Sequence, residues 1–192
     1  MKSVPIHPYF RDVFGQEQSV AELAAIILFG LGVPVVLVLW SPEFFGSLPF
    51  WRSALALILV LDIAAGCIAN FTRSTSDFYA ARPRNRWIFI ALHVHVLAVA
   101  FLLDADILAA TWVWLYTIVG AAVVNALPVG PSQNFTGGLL LAIGLGGIAL
   151  FPGLSAVMAL VCTLFMLKVL FAFAVDHYPT FGPRADPGPK DA

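Results

Sequence analysis

Charge is scarce in this chain. Only 11% of its 192 residues are Asp, Glu, Lys or Arg, where a soluble domain carries about 25%. That scarcity excludes a soluble enzyme and a disordered chain. No sign is in excess either, with 10 Lys and Arg against 11 Asp and Glu. A nucleic-acid-binding surface needs clustered basic charge, so nucleic acid is excluded as a partner. Cysteine is nearly absent. Cys67 and Cys162 both sit inside apolar runs, which excludes a disulfide framework and leaves them as small packing residues. What the chain has instead is 60% hydrophobic residues and a mean hydropathy of +0.92. The composition predicts a polytopic membrane protein.

A membrane span needs about 20 apolar residues, and roughly 17 suffice. Six stretches qualify or come close: Val20–Trp40, Ser53–Phe71, Trp87–Leu103, Ile107–Leu127, Gly137–Phe151 and Leu154–Val175. The expected fold class is therefore all-α, a bundle of six transmembrane helices. Residues 1–19 read as a cytoplasmic N-terminal segment, 20–178 as one membrane domain, and 179–192 as a disordered cytoplasmic tail rich in Pro and Gly. Asp12 and Glu17 precede the first span, where a signal peptide would carry basic residues. Ser19 and Glu22 have the spacing of a capping box that starts the first helix. Pro34 within that span predicts a kink.

Basic residues in short loops set orientation. Lys2, Arg11, Arg73, Arg82, Arg84, Arg86, Arg184 and Lys190 all fall on one side of a six-span chain, and only Arg52 falls on the other. Eight against one places both termini in the cytoplasm and the protein in the inner (plasma) membrane of the cell. The lipid bilayer is thus the expected partner. Trp40, Phe50, Trp51, Trp87, Phe151 and Tyr178 at span ends match an interfacial aromatic belt. Trp112 and Tyr116, four apart on span four, share a face that suits packing or a ligand cavity.

Small residues let membrane helices approach closely. Gly138, Ala142 and Gly146 form such a face on span five, flanked by Gly137, Gly144 and Gly147. It is expected to pack inside the bundle, with a homo-oligomer through this helix as the alternative. Ala65, Gly66 and Ala69 do the same on span two, and Ala91, His95 and Ala98 on span three.

Ionisable residues inside a span cost several kcal/mol and mark function by default. Four lie there: Asp62, His93, His95 and Lys168. At about 1.5 Å per helical residue, all four fall roughly 10–15 Å from the cytoplasmic side. One layer therefore holds them, and each charge is expected to find its partner within it. These are the candidate catalytic or proton-carrying residues. On an unbroken helix His93 and His95 point about 200° apart and do not share a site. His95, on the small-residue face, is expected to be sealed, and His93 to open toward the cytoplasm. A second polar set is placed at the cytoplasmic mouth: Asn70, Thr72, Asp77, Arg82, Arg86, Asn134, Asp176 and His177. Hydroxyl and guanidinium groups at a membrane surface suit an anionic lipid or a phosphate. The histidines lack the ligand spacing of a metal site, so neither metal nor other cofactor is expected.

The run from Asp62 to Asn70 resembles the opening of the CDP-alcohol phosphotransferase motif. The resemblance covers nine residues and stops there. Ala65 stands where that family needs Asp, Asn70 where it needs Arg, and the further carboxylates are missing, so it is set aside. Three readings remain open: a small protein translocating protons or a solute, a membrane-embedded enzyme acting on a lipid or isoprenoid through a His/Asp pair, and a non-catalytic accessory or assembly subunit. Whether the chain is an enzyme is left undecided by its sequence.

Overall fold

A computed structural model describes residues 3–179. It is built from helices, six of which are long and apolar enough to cross a membrane. They are α2 (Val20–Trp40), α4 (Phe50–Ala69), the pair α6 (Pro83–Leu92) and α7 (His95–Leu102), α8 (Ile107–Ala126), α9 (Pro131–Ala149) and α10 (Ala156–Met166), which continues as a π-helical turn over Leu167–Phe173. Short helices α1 (Arg11–Phe14), α3 (Pro42–Gly46) and α5 (Arg73–Ala80) lie between or before them.

The span boundaries differ from the hydropathy reading most at three N-termini. The second helix starts at Phe50, the third at Pro83 and the fifth at Pro131. The last two start on a proline, whose fixed φ and missing N–H suit the first helical turn. Hydropathy placed these two starts just after the last polar residue, although Arg84, Arg86 and Gln133 are already helical.

The capping box forms as expected. The Ser19 hydroxyl accepts from the Glu22 backbone N–H, and the Glu22 carboxylate accepts from the Ser19 N–H. Pro34 is buried in α2, which runs on to Trp40. Trp40, Phe50, Trp51 and Trp87 are exposed near helix ends, as a membrane-interface belt requires. On the face opposite α5, Arg52 grips Asp104 with two N–H···O bonds of 2.8 and 2.6 Å. Asp104 turns the chain between α7 and α8 with φ of 49°.

The spans pack largely as sequential neighbours. α2 lies along α4, α4 meets α7, α7 meets α8 and α8 meets α9. The sixth span then returns inward and touches α4, α7, α8 and α9. It carries Lys168, a cation that lipid does not solvate, so the helix bearing it has to sit inside.

Two sequence expectations about packing are corrected. On α9 it is Gly137, Gly144 and Ile148 that are buried, whereas Ala142 and Gly146 face outward. Gly144 abuts Met166 and Tyr116, which fixes this side as the inner one. On the third span Ala91 is exposed, so Ala91, His95 and Ala98 form no common buried face. The Ala65 contact does form: a methyl at Gly30 would lie 2.8 Å from the Ala65 Cβ.

The N-terminal segment, for which the sequence predicted no fold of its own, carries a small hairpin. Ser3–Pro5 (β1) and Glu17–Ser19 (β2) pair antiparallel. The loop they enclose packs α1 onto α5. Gln18 is buried and donates to Thr72 Oγ1 at 2.8 Å and to the Phe14 carbonyl at 2.7 Å. The Tyr79 hydroxyl donates to the Asp12 carbonyl at 2.9 Å. Burial pushes the Tyr79 phenol above its ordinary range, and the nearby Asp12 carboxylate adds to it. The tail beyond Pro179, with Arg184 and Lys190, lies outside the described residues, as does Lys2.

Candidate functional site

A break in the third span creates the site. α6 ends at Leu92, and His93 (ψ 86°) and Val94 interrupt the ladder before α7 starts at His95. In hydrocarbon every freed backbone group needs a partner. The Trp114 indole N–H donates to the His93 carbonyl at 2.9 Å. The His93 ring Nδ1 lies 2.6 Å from the Phe89 carbonyl. A carbonyl only accepts, so Nδ1 carries the proton.

The break reverses the expected burial of the two histidines. His93 is the buried one, 6% exposed, and its ring lies 3.8 Å from that of Phe89, centroid to centroid. The His95 side chain is 30% exposed. The rings come within 5.2 Å of each other, edge to face. The 200° separation held for a continuous helix, and this backbone is not one.

His95 Nε2 stands 3.8 Å from Asp62 Oδ2. The same oxygen accepts from Lys168 Nζ at 2.7 Å, and Nζ also approaches the Asp62 carbonyl at 3.3 Å. Exposure is graded across this pair. The Lys168 side chain is 4% exposed and that of Asp62 42%. Room for the lysine comes from Gly66, which has no side chain to block it. The four candidate residues are thus brought together from α4, the broken third span and the π-helical turn.

The polar set expected at the cytoplasmic mouth does not form one ligand site. Much of it serves the end of the sixth span, whose last carbonyls lack helical partners. Asn70 Nδ2 donates to the Lys168 carbonyl at 3.3 Å. Arg86 is buried and donates to the carbonyls of Phe173 (2.9 Å) and Ala174 (3.2 Å), where a cation also suits the helix dipole. The His177 ring reaches the Phe171 carbonyl at 3.1 Å. Burial holds the His177 imidazole below its usual value, with its hydrogen bond to that carbonyl opposing. Asp176 is buried and accepts from the Ser76 hydroxyl at 3.2 Å and from the Tyr178 N–H at 3.1 Å.

Thr72 caps α5. Arg82 donates to the Phe78 carbonyl and lies 4.0 Å over the Phe78 ring. Asp77 is exposed beside Arg73 at 3.6 Å, and Asn134 is exposed on α9, apart from the others. Trp112 faces outward and the Tyr116 hydroxyl donates to the Leu140 carbonyl, so the two do not line a common cavity. Among the described residues no three His, Cys, Asp or Glu side chains converge in a metal-binding group.

Sequence reasoning missed Trp114, Gln133 and Gln18. Trp114 was legible as the aromatic two positions from both Trp112 and Tyr116, hence on the opposite face of α8. Gln133 Oε1 accepts the Asp176 N–H at 3.0 Å, and its Nε2 donates to the Val124 carbonyl. Its signal was an amide in the first turn of a membrane-capable helix.

The molecule is an all-α bundle with six membrane-capable helices and an ion pair inside it. No known family model, curated protein or solved structure matches the chain.

Proposed function

We propose that this chain is a multi-pass protein of the inner (plasma) membrane that moves protons, alone or with a small solute, through the Asp62, Lys168 and His95 group. The supporting observation is that one carboxylate within the spans meets both an ammonium and an imidazole, beside two departures from α-helical backbone. Interrupted helices with ionisable residues at membrane depth are how transporters build coupling sites. A π-helical turn at Lys168 is a feature often found at functional positions. Asp62 and His95 differ from ordinary membrane core residues in having both a titratable group and partial exposure. An imidazole that faces a carboxylate is placed to pass a proton to it, which is the exchange this reading requires.

In this reading both termini are cytoplasmic, supported by the eight-to-one basic asymmetry and by the packing of α1 on the loop helix α5. Residues 20–178 act as one membrane domain. The exposed arginines Arg73 and Arg84 attract anionic lipid headgroups or phosphate. The outward Ala142 and Gly146 leave α9 free to meet a second copy.

Purified protein in liposomes loaded with a pH-sensitive dye tests the reading. An imposed potassium diffusion potential is expected to drive proton uptake in the wild type, and His95→Ala to abolish it. Uptake equal to that of protein-free liposomes, with and without candidate solutes, overturns the proposal.

A further inference from the structure

The exposure of Asp62 faces an unusual direction. On α4, Trp51, Leu55, Ile58 and Asp62 recur at spacings of four, three and four, which is one helical face. Trp51, Leu55 and Ile58 are all exposed large apolar side chains. Asp62 therefore shares the stripe of α4 that meets lipid. The neighbouring wall is also apolar and exposed at Leu92 and Val94, next to half-exposed His95. A carboxylate and an imidazole thus open sideways onto the hydrocarbon layer.

This opening has unused hydrogen-bonding capacity. Lys168 and His95 both address Asp62 Oδ2. The other carboxylate oxygen, Oδ1, accepts no hydrogen bond among the described residues, and an unfilled acceptor in a layer that holds little water is costly. Charge narrows what fills it. Lys168 already neutralises Asp62, so a second cation meets no net negative charge. A neutral hydroxyl group suits the site, because it donates to the carboxylate and brings no charge into hydrocarbon. Its carrier has to arrive through the bilayer.

We infer that Asp62 and His95 form a lateral binding site for a neutral, hydroxyl-bearing lipophile, a phenol or alcohol with an apolar tail lying along the Leu55 and Ile58 stripe. The hydroxyl donates to the outer oxygen of Asp62, and His95 closes the side of the pocket. The inference uses the same residues as the proposed proton path but does not depend on proton movement.

The test uses the full-length protein in detergent, with para-nonylphenol as probe and para-nonylanisole as its control. The two differ only in replacing O–H by O–CH3. Nonylphenol is expected to raise the thermal unfolding midpoint in a saturable way, and nonylanisole to raise it much less. Ile58→Trp fills the approach beside Asp62 at a lipid-facing position without touching the ion pair. It is expected to weaken nonylphenol binding about tenfold, the value of one charge-assisted hydrogen bond. Equal responses to the phenol and the ether overturn the site, as does an Ile58→Trp variant that folds and binds nonylphenol as the wild type does. Saturable binding in a protein that moves no protons refutes the proposed function alone. Proton movement with no discrimination between phenol and ether refutes this inference alone.

Discussion

A methyl group at Gly66 would stand 2.5 Å from Cε and 2.8 Å from Nζ of Lys168. The glycine is what lets the lysine reach Asp62 across the α4 surface. Its neighbours are the flexible end of a long side chain, so the chain can yield. Gly66→Ala is expected to fold, with the ammonium displaced from its 2.7 Å contact and stability lowered by about 1–3 kcal/mol. Thermal unfolding in detergent measures the loss. A variant as stable as the wild type would mean that Lys168 has a second, equally good position.

The pair itself predicts a non-additive result. Asp62→Asn leaves Lys168 buried as an uncompensated cation and is expected to cost about 3–5 kcal/mol. Adding Lys168→Met to that variant removes the orphaned charge and restores most of the stability. If the double variant is as unstable as the single one, pairing is not what the two residues contribute.

The histidines separate structure from activity. His93→Ala removes a ring packed on Phe89 and a hydrogen bond across the helix break, and is expected to destabilise by about 2 kcal/mol. His95→Ala removes a half-exposed ring, so folded yield is retained while proton uptake is lost. The readouts are detergent-solubilised yield, unfolding midpoint and liposome uptake. The opposite assignment of the two phenotypes would contradict the burial order.

His177 makes the folded state acid-sensitive. Its ring lies close to Phe71 and Phe171. Burial lowers its pKa from the ordinary 6.5; Asp176 opposes the shift and Arg86 reinforces it. Above about pH 6.5 both folded and unfolded chains hold it neutral, and its contribution is constant. As the pH falls below that value the unfolded chain takes up a proton that the folded chain resists, so stability declines until the lowered pKa is passed. His177→Phe keeps a ring and removes the titration. The midpoint of this variant is expected to fall less than that of the wild type between pH 7 and 5, values chosen to bracket the histidine range.

Orientation is checked by labelling. Cys67 and Cys162 are buried, so they give little background. Ser47→Cys, before α4, is expected to react with a membrane-impermeant maleimide in intact cells. Asn85→Cys, on the opposite side of the bundle, is expected to react only after the cells are opened. The reverse pattern would place the termini outside.

Much of the fold was legible in the sequence because a membrane leaves few options for an apolar chain. Six apolar runs had to become helices, since no other single element satisfies its own backbone in hydrocarbon. The Ser19 and Glu22 capping box follows from local spacing alone. The shared depth of Asp62, His93, His95 and Lys168 was countable at a fixed rise per residue. Tertiary structure decided which way each of these residues faces. Helical phase advances about 100° per residue, so an interruption at His93 and Val94 resets every direction after it. Neither residue is Pro or Gly, and nothing local announces the break. It persists because Trp114, from another helix, donates its indole N–H to the freed His93 carbonyl. The same reason explains the mouth residues. Asn70 and Arg86 are polar groups at span ends by sequence, and only the inward return of the sixth helix turns them into partners for its carbonyls.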